Sequence, residues 1–382
     1  MILPYTLVIR IKNSLFFNVR RTISKLFENK IKIEVDQPLD IKLNEEVFSY
    51  EGEYYNLNGE IPYWFKFKNI TLRDIGWRVF KNCEVISGGI ILNPLGEVII
   101  ESTIFQKEYL NKLNNNHLVY FRRFIPYRRI NKAIVLSNYL GKQYYHWNME
   151  SLSRLLIIDN IHLKEYKIII DKNAPKFVRE SLILFFKIDQ NNIIELRSKK
   201  IKIKEVVIPS FPFTRNEFTK MTFIYSPSII IKMNELSKTI TQINKNKRNI
   251  IVSRERATQR RIKNVEFLMR TLPTLKFEVV VLEDFSFKQQ LEIFRNANII
   301  LSTHGAGLVN LLYAENPKII EFFPAERTKR DAFYFFQITS KLRFYHCLIE
   351  YLSVNDEQDL FVEIEHINQI NKFLNALNSQ KN

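Results

Sequence analysis

Short apolar runs alternate with amphipathic stretches throughout the second half of the chain. The runs are rich in Ile, Val and Phe, which is typical of buried strands, and the stretches between them have helical patterns. The predicted strands are residues 248–253, 277–282, 298–303, 318–323 and 344–348, and the predicted helices are residues 264–271, 287–296, 307–314 and 331–342. This alternation predicts a doubly wound parallel sheet in an α/β fold.

The first half begins with a β-rich part and then adopts the same alternation. Residues 33–104 contain short apolar runs separated by turn signals at Asn58-Gly59 and Gly88-Gly89, which indicates hairpins or a meander. The strands that follow are predicted at residues 132–136, 166–170, 192–196 and 203–209, and the helices at residues 144–159 and 175–186. A second parallel sheet is therefore expected before residue 217.

The domain organisation follows from these two sheets. We predict an N-terminal α/β domain at residues 1–217 and a Rossmann-like domain at residues 248–350, joined by a polar linker at residues 218–247. A closing helix is expected within residues 351–382, over residues 363–377.

Composition and charge narrow the function classes. The chain has 382 residues, 46% of them hydrophobic, and a formal net charge of +17, which attracts nucleic acid, anionic lipid or phosphorylated substrates alike. A composition bias towards Lys, Ile and Asn explains the same charge without any partner. Only Cys83 and Cys347 are present, so a disulfide framework and a CxxC zinc site are not expected, and a reducing compartment fits best.

The first residues of the chain bear on whether the protein associates with a membrane. No apolar run approaches the roughly 20 residues that span a bilayer, and charges interrupt the start too early for a secretory signal. Residues 15–31 predict a basic amphipathic helix that either contacts an anionic membrane or, as the favoured interpretation, packs on its own domain. We expect a cytoplasmic protein, with peripheral contact at the inner face of the membrane as the alternative.

Three predicted turns lie at carboxyl ends of strands, where open α/β sheets bind ligands. They are Ser253-Arg254, Glu283-Asp284 and the glycine turn, residues 304–307 with the sequence His-Gly-Ala-Gly. Glycines allow a ligand close to the backbone, and free N–H groups at the following helix favour an anion. A phosphate group with a bidentate contact from Arg254 is the interpretation we prefer to a simple surface turn.

A second candidate group lies on the predicted helix at residues 144–159. His146, Glu150 and Arg154 are spaced i, i+4 and i+8, which predicts one shared helical face. A solvated stripe of charges has the same spacing, and a metal site lacks an evident third ligand. The three side chains also suit acid/base work, in which a carboxylate or imidazole takes a proton and an arginine orients it.

These motifs together resemble glycosyltransferase family 61. The resemblance extends from about residue 77 to residue 346, and its most specific part is the glycine turn followed by Leu308, Val309 and Asn310. The other matching residues are Tyr145, His146, Trp147, Glu150, Arg154, Ser253, Arg254, Phe287, Gln290, Ala297, Ile320 and Glu321. The proline that often precedes the helix arginine in that family is Ser153 here, which leaves the local helix geometry open.

The resemblance implies a GT-B architecture, in which two Rossmann-like domains face a cleft, and an inverting transfer from a nucleotide-sugar, most often a UDP-sugar. Bacterial relatives imply capsular or other surface polysaccharide synthesis, with a glycan or glycolipid acceptor. The implied donor-binding residues are Ser253, Arg254, His304, Gly305, Ala306, Gly307, Asn310 and Glu321, and either Glu321 or a nearby loop is expected to contact the ribose.

The expected mechanism uses no metal and no cofactor. The chain contains no Asp-x-Asp motif, so Arg254 and the glycine turn are expected to stabilise the departing diphosphate. Either Glu150 or His146 is the general base, and Arg154 and Tyr145 position the acceptor.

Other classes remain open at this point. A nucleic-acid-binding protein would use the net charge directly, but the basic residues are dispersed and no recognition motif is present, so no nucleic acid is expected. The alternatives on the same fold are a non-catalytic carbohydrate- or nucleotide-binding protein and a transferase that uses a CMP-activated acidic sugar. The donor, the acceptor, the linkage, the oligomeric state and the host are not determined by the sequence.

Overall fold

The protein has a mixed α/β fold built on two large sheets with parallel strands. The computed structural model describes residues 41–42, 47–48, 54–56, 70–71, 75–102, 127–197, 200–215, 223–244, 246–327, 331 and 333–379. The predicted amphipathic helix at residues 15–31 and the Asn58-Gly59 turn lie outside the described residues.

The first sheet contains the predicted strands of the first half. Its order is Ile41–Lys42, Gly76–Ile86, Lys200–Pro209, Arg128–Val135, Lys167–Ile170 and Ile193–Glu195, with Ile90–Leu92 paired to Gly76–Ile86. The last four strands of this order are parallel, whereas Gly76–Ile86 runs antiparallel to Lys200–Pro209. The hairpin expected around Gly88-Gly89 is confirmed, because Ile86 pairs with Ile90 across that turn.

The second sheet contains the predicted strands of the second half and one unexpected strand. Its order is Glu278–Val281, Arg248–Ser253, Ala297–Thr303, Lys318–Pro324, Tyr345–Tyr351 and Tyr54–Asn56, and all neighbours are parallel. The central strands are buried on both faces, which explains their continuous apolar runs. Tyr54–Asn56 comes from the β-rich N-terminal part, so the two sheets do not divide the chain at a single boundary.

Helices follow most of the strands, as predicted. They are Asn160–Glu165, Lys176–Phe186, Pro227–Lys238, Val265–Thr271, Phe287–Arg295, Phe333–Lys341 and Ile364–Ser379, with Tyr144–His146 continuing into the segments described below. Short 3₁₀ helices are Ser87–Gly89, Ile100–Ser102, Gln190–Asn192, Pro273–Leu275 and Leu282–Asp284, and a longer one is Ala306–Tyr313. Local sequence sets the start of the helix Phe287–Arg295, because Ser286 and Gln289 form a capping box before it.

The remaining described strands form two short, two-stranded sheets. Phe213–Arg215 pairs with Phe223–Tyr225, and Val47–Phe48 pairs with Ile70–Thr71, both antiparallel. Among the described residues, none of the helices combines the length and apolar character needed to cross a membrane.

The stretch predicted as a polar linker packs into the core. Within it, helix Pro227–Lys238 buries Ile229, Ile230 and Met233 in the same apolar cluster as strands of both large sheets. Its Asn234 Nδ2 donates hydrogen bonds of 2.9 Å to the carbonyls of Leu312 and Ala314. This segment is therefore part of the contact between the two halves, and the domain boundaries stay a prediction.

Candidate functional site

The glycine turn and Arg254 meet at adjacent strand ends of the second sheet. Strand Ala297–Thr303 lies beside Arg248–Ser253, so the residues that follow them share one edge. A Cβ atom added to Gly305 would lie 2.7 Å from Arg254 Cζ, so the guanidinium fills the space that a side chain would need. The helix predicted after the turn is present as the 3₁₀ helix Ala306–Tyr313. The turn and the arginine are thus brought together as expected.

A cleft of about 660 Å³ opens beside this edge and has walls from both halves. The second half contributes Arg254, Ala257, Leu282, Glu283, Asp284, Phe285, Ser286, Phe287, Gln290, Ala306 and Gly307, and the first half contributes Tyr144, Lys176, Phe177 and Glu180. The volume suits a nucleotide-sized ligand. Tyr144 is the first residue of the helix that contains His146, so the cleft reaches the end of this helix, although His146 and Glu150 do not belong to its lining.

Two further arginines, Arg260 and Arg327, lie near Arg254, and the sequence motifs did not point to them. The Thr303 hydroxyl donates a 2.6 Å hydrogen bond to the carbonyl of Arg260, which fixes Arg260 beside the glycine turn. Among the described residues, Arg260 Nε is buried without a hydrogen-bond partner. Burial and then the charges of Arg254 and Arg327 lower the pKa of Arg260 to about 10. This edge therefore has a positive potential suited to an anion.

His304 is oriented by a buried carboxylate. Glu321 is fully buried, and its two oxygens contact His304 Nδ1 at 2.6 Å and His346 Nε2 at 2.9 Å. Burial raises the pKa of Glu321, but hydrogen bonds from both histidines outweigh this effect and lower it. Glu321 is fully buried between the two histidines and does not line the cleft, which differs from the direct contact with a ribose expected from the sequence.

Glu150 and His146 form a hydrogen-bonded pair with unequal exposure. Glu150 Oε1 lies 2.8 Å from His146 Nδ1 and accepts a 2.8 Å hydrogen bond from the hydroxyl of Tyr225. The Glu150 side chain is 0% exposed and that of His146 is 22% exposed. An ionised carboxylate only accepts hydrogen bonds, so with Glu150 charged the proton in this contact is on Nδ1, and Nε2 is the ring nitrogen left for a substrate. Of the two, only the imidazole can meet a substrate.

Arg154 does not share the face of His146 and Glu150. The helix runs as Tyr144–His146, a π-helical segment Trp147–Ser151 and a 3₁₀ segment Leu152–Ile157, so regular i+8 spacing is lost. The Arg154 guanidinium is buried, donates to the carbonyls of Pro209 and Val135, and lies 4.2 Å from the Phe211 ring centroid. It links strand ends of the first sheet, which differs from the expected contact with the acceptor.

The remaining predicted residues support the cleft from inside. Asn310 is buried, and its Oδ1 accepts a 2.7 Å hydrogen bond from the hydroxyl of Tyr144 across the two halves. Tyr145 is also buried. The centroid of its ring lies 5.4 Å from that of His146 and 5.8 Å from that of Phe335. The ring centroids of Phe335 and His304 are 5.1 Å apart, so the rings of Tyr145 and Phe335 lie in sequence between the two histidines.

Ser253 has a local role at the strand end. Its Oγ accepts a 3.2 Å hydrogen bond from the backbone N–H of Glu255 and shapes the loop after Arg254.

In the described part of the chain, His, Cys, Asp and Glu side chains do not gather in groups of three that could hold a metal ion. The expectation of a metal-independent reaction stays a prediction.

Comparison with known protein families gives a match over part of the chain. Residues 144–320 match the family model described as Glycosyltransferase 61. The match begins at the helix with His146 and Glu150 and includes Arg254 and the glycine turn. A search of curated proteins found no match.

Proposed function

We propose that this chain, whose residues 144–320 match the glycosyltransferase 61 family model, is a glycosyltransferase of that family and catalyses an inverting, metal-independent transfer from a nucleotide-sugar, with a UDP-sugar as the expected donor. The acceptor is a hydroxyl of a glycan or glycolipid in the synthesis of a bacterial surface polysaccharide. The two sheets then act as the facing halves of a GT-B architecture. The observation that carries this proposal is the contact of Gly305 with Arg254 at the edge of the shared cleft.

The diphosphate binds at the edge formed by the glycine turn. Gly305 leaves its backbone open, and the Arg254 guanidinium lies against it. Arg260 adds a second positive charge and a buried nitrogen that lacks a partner among the described residues. Preorganised cations at this position stabilise the charge that develops on the departing nucleoside diphosphate.

His146 is the general base, and Glu150 positions it. The acceptor oxygen attacks the anomeric carbon while the bond from that carbon to the diphosphate oxygen breaks, and the nucleoside diphosphate leaves with the bonding electrons. The acceptor proton passes to His146 Nε2, and Glu150 stabilises the imidazolium through Nδ1. One displacement of this kind inverts the anomeric configuration.

His304 binds the donor with a defined tautomer. Burial, together with the charges of Arg260 and Arg327, lowers the pKa of His304 in spite of the opposing effect of Glu321. The neutral ring donates from Nδ1 to Glu321 and presents Nε2 as a hydrogen-bond acceptor. A sugar hydroxyl is the matching donor, and Glu321 contributes only through His304.

The cellular setting completes the proposal. We place the enzyme in the bacterial cytoplasm or at the inner face of the membrane, where nucleotide-sugars are available. Peripheral contact of the basic N-terminal residues with anionic lipid belongs to this proposal.

The test is a donor panel in the presence of EDTA. Release of the nucleoside diphosphate from UDP-, GDP- and dTDP-sugars, or of CMP from CMP-sugars, identifies the donor, and NMR of the product gives its anomeric configuration. We expect turnover with a nucleoside diphosphate sugar, an inverted product and no loss on chelation. A retained configuration, or activity that requires added metal, contradicts the mechanism.

A further inference from the structure

Three carboxylates line the cleft, and two of them already have protein partners. Glu180 Oε2 accepts a 2.8 Å hydrogen bond from the backbone N–H of Phe287, and Asp284 forms a 2.5 Å ion pair with Arg256. The third is Glu283, which is exposed in the cleft. Within the described residues, its carboxylate forms no hydrogen bond or ion pair. Glu283 is therefore the cleft carboxylate whose oxygens are free to meet a ligand.

The position of Glu283 relative to Arg254 is set by the sheet. Strand Glu278–Val281 pairs in parallel with Arg248–Ser253, so Glu283 and Arg254 follow neighbouring strands at the same edge. Burial lowers the pKa of Arg254, and the charge of Glu283 opposes this shift, which places the carboxylate within electrostatic range of the guanidinium. The two side chains are neighbours along one wall of the cleft and form no direct ion pair.

A nucleoside diphosphate has the complementary order of groups. Its diphosphate is followed by a ribose whose 2′- and 3′-hydroxyls are two adjacent hydrogen-bond donors. A carboxylate accepts two such donors at once, in the same way that acidic residues at strand ends of dinucleotide-binding sheets hold a ribose. A diphosphate on Arg254 and the glycine turn therefore brings the ribose to the neighbouring strand end.

We propose that Glu283 binds the ribose 2′- and 3′-hydroxyls of the donor and makes the enzyme selective for ribonucleotide-sugars over 2′-deoxyribonucleotide-sugars. This inference rests on the proposed function, because it assumes that a nucleoside diphosphate occupies the cleft. It assigns to Glu283 the ribose contact expected from the sequence at Glu321 or at a nearby loop. It also excludes dTDP-sugars as preferred donors, since dTDP lacks the 2′-hydroxyl.

The experiment measures nucleotide affinity by calorimetry. The dissociation constants of UDP, GDP and CDP are compared with those of dUDP, dGDP and dCDP for the unchanged chain and for Glu283→Gln. The ribonucleotide that binds best is expected to bind about tenfold more tightly than its deoxy form, because loss of a hydroxyl leaves the carboxylate without one donor. Glu283→Gln is expected to reduce this ratio to about one to threefold.

Asp284→Asn is the matched control. It removes one negative charge from the same wall of the cleft, and so it changes the attraction of the diphosphate in the same direction. Its ribose-to-deoxyribose ratio is expected to equal that of the unchanged chain.

The outcomes separate the inference from the proposed function. If nucleoside diphosphates bind but ribose and deoxyribose forms bind equally, or if Glu283→Gln keeps the full ratio, the role of Glu283 is overturned and the proposed function stands. If no nucleoside diphosphate binds, both are overturned.

Discussion

The guanidinium of Arg254 lies in the space that a side chain at residue 305 would occupy, with Cζ only 2.7 Å from the position of an added Cβ. Gly305 has an extended backbone with a φ of 179°, so it is required here for space and not for an unusual backbone conformation. The contact connects the two most specific sequence motifs of the second half, which are 51 residues apart (305 − 254).

Gly305→Ala is expected to weaken binding of the nucleoside diphosphate about tenfold or more. The new methyl group displaces the guanidinium, which then loses part of its charge-assisted contact with the diphosphate. Isothermal titration calorimetry checks the dissociation constant.

Gly307→Ala is the control for this change. An added Cβ there would lie 2.6 Å from Leu282 Cδ1, the end of a flexible side chain that can move. Its effect on nucleotide affinity is expected to be smaller. Equal effects of the two substitutions would argue against a specific role for the contact of Gly305 with Arg254.

His146→Ala is expected to lower kcat by roughly 10²–10⁴-fold, because the acceptor hydroxyl loses its general base. Glu150→Gln keeps the volume of the buried side chain and removes its charge, so the imidazolium is no longer stabilised. We expect a smaller decrease in kcat than for His146→Ala, and nucleotide affinity unchanged in both variants.

Steady-state turnover with the donor identified above separates the two roles. Near-normal turnover of His146→Ala together with an inactive Glu150→Gln would make Glu150 the base. Near-normal turnover of both would remove the pair from catalysis.

Arg154→Met is expected to destabilise the fold without changing nucleotide affinity. It removes hydrogen bonds to the carbonyls of Pro209 and Val135. Each buried carbonyl left without a donor costs about 1–3 kcal/mol. Urea unfolding measures the loss, and Arg154→Lys, which retains the charge but not the planar fork, is expected to recover part of it. Unchanged stability with lost transfer to the acceptor would restore the acceptor-positioning role predicted from the sequence.

Acid is expected to destabilise the protein through His304. Burial lowers the pKa of His304 below its ordinary value of 6.5, so below about pH 6.5 the unfolded chain binds a proton that the folded chain does not. The free energy of unfolding therefore falls as the pH falls, by at most about 1.4 kcal/mol per pH unit for one proton.

Urea unfolding at pH 7.5 and pH 5.5 checks this effect. His304→Gln retains a donor for Glu321 and is expected to lose less stability between the two pH values than the unchanged chain. An equal or larger loss would contradict the buried neutral state of His304.

The sheets of the second half could be predicted because their signals are local. Strands such as Arg248–Ser253 consist of β-branched and apolar residues, and their turns carry glycine or charged residues at the carboxyl ends. The order Glu283, Arg254 and glycine turn along one edge then follows from parallel pairing. Tyr54–Asn56 could not be placed in this sheet, because its pairing with Tyr345–Tyr351 depends on contacts far apart in sequence.

The differences between the expected and observed geometry of the candidate site have equally physical causes. A π-helical segment and the 3₁₀ segment after it interrupt the regular helical spacing, and Arg154 donates to the carbonyl of Pro209. Tyr225, which donates to Glu150, is separated from it by 75 residues, and no local pattern links them. Glu321 has the residue type of a ribose ligand, but two histidines cover its oxygens, and burial of this kind becomes visible only in three dimensions.

The central claim is that Arg254 beside the glycine turn holds the diphosphate of an activated sugar. The most direct test compares the stabilisation by UDP, GDP, CMP and dTDP compounds of the unchanged chain, of Arg254→Ala and of Arg256→Ala in a thermal-shift experiment. Arg256 is the matched control, because it lies on the same loop but pairs with Asp284. We predict that a nucleoside diphosphate at about 100 times its dissociation constant stabilises the unchanged chain by about 2.7 kcal/mol, that Arg254→Ala loses most of this stabilisation and that Arg256→Ala keeps it. Equal stabilisation of all three proteins, or of none, would contradict the claim.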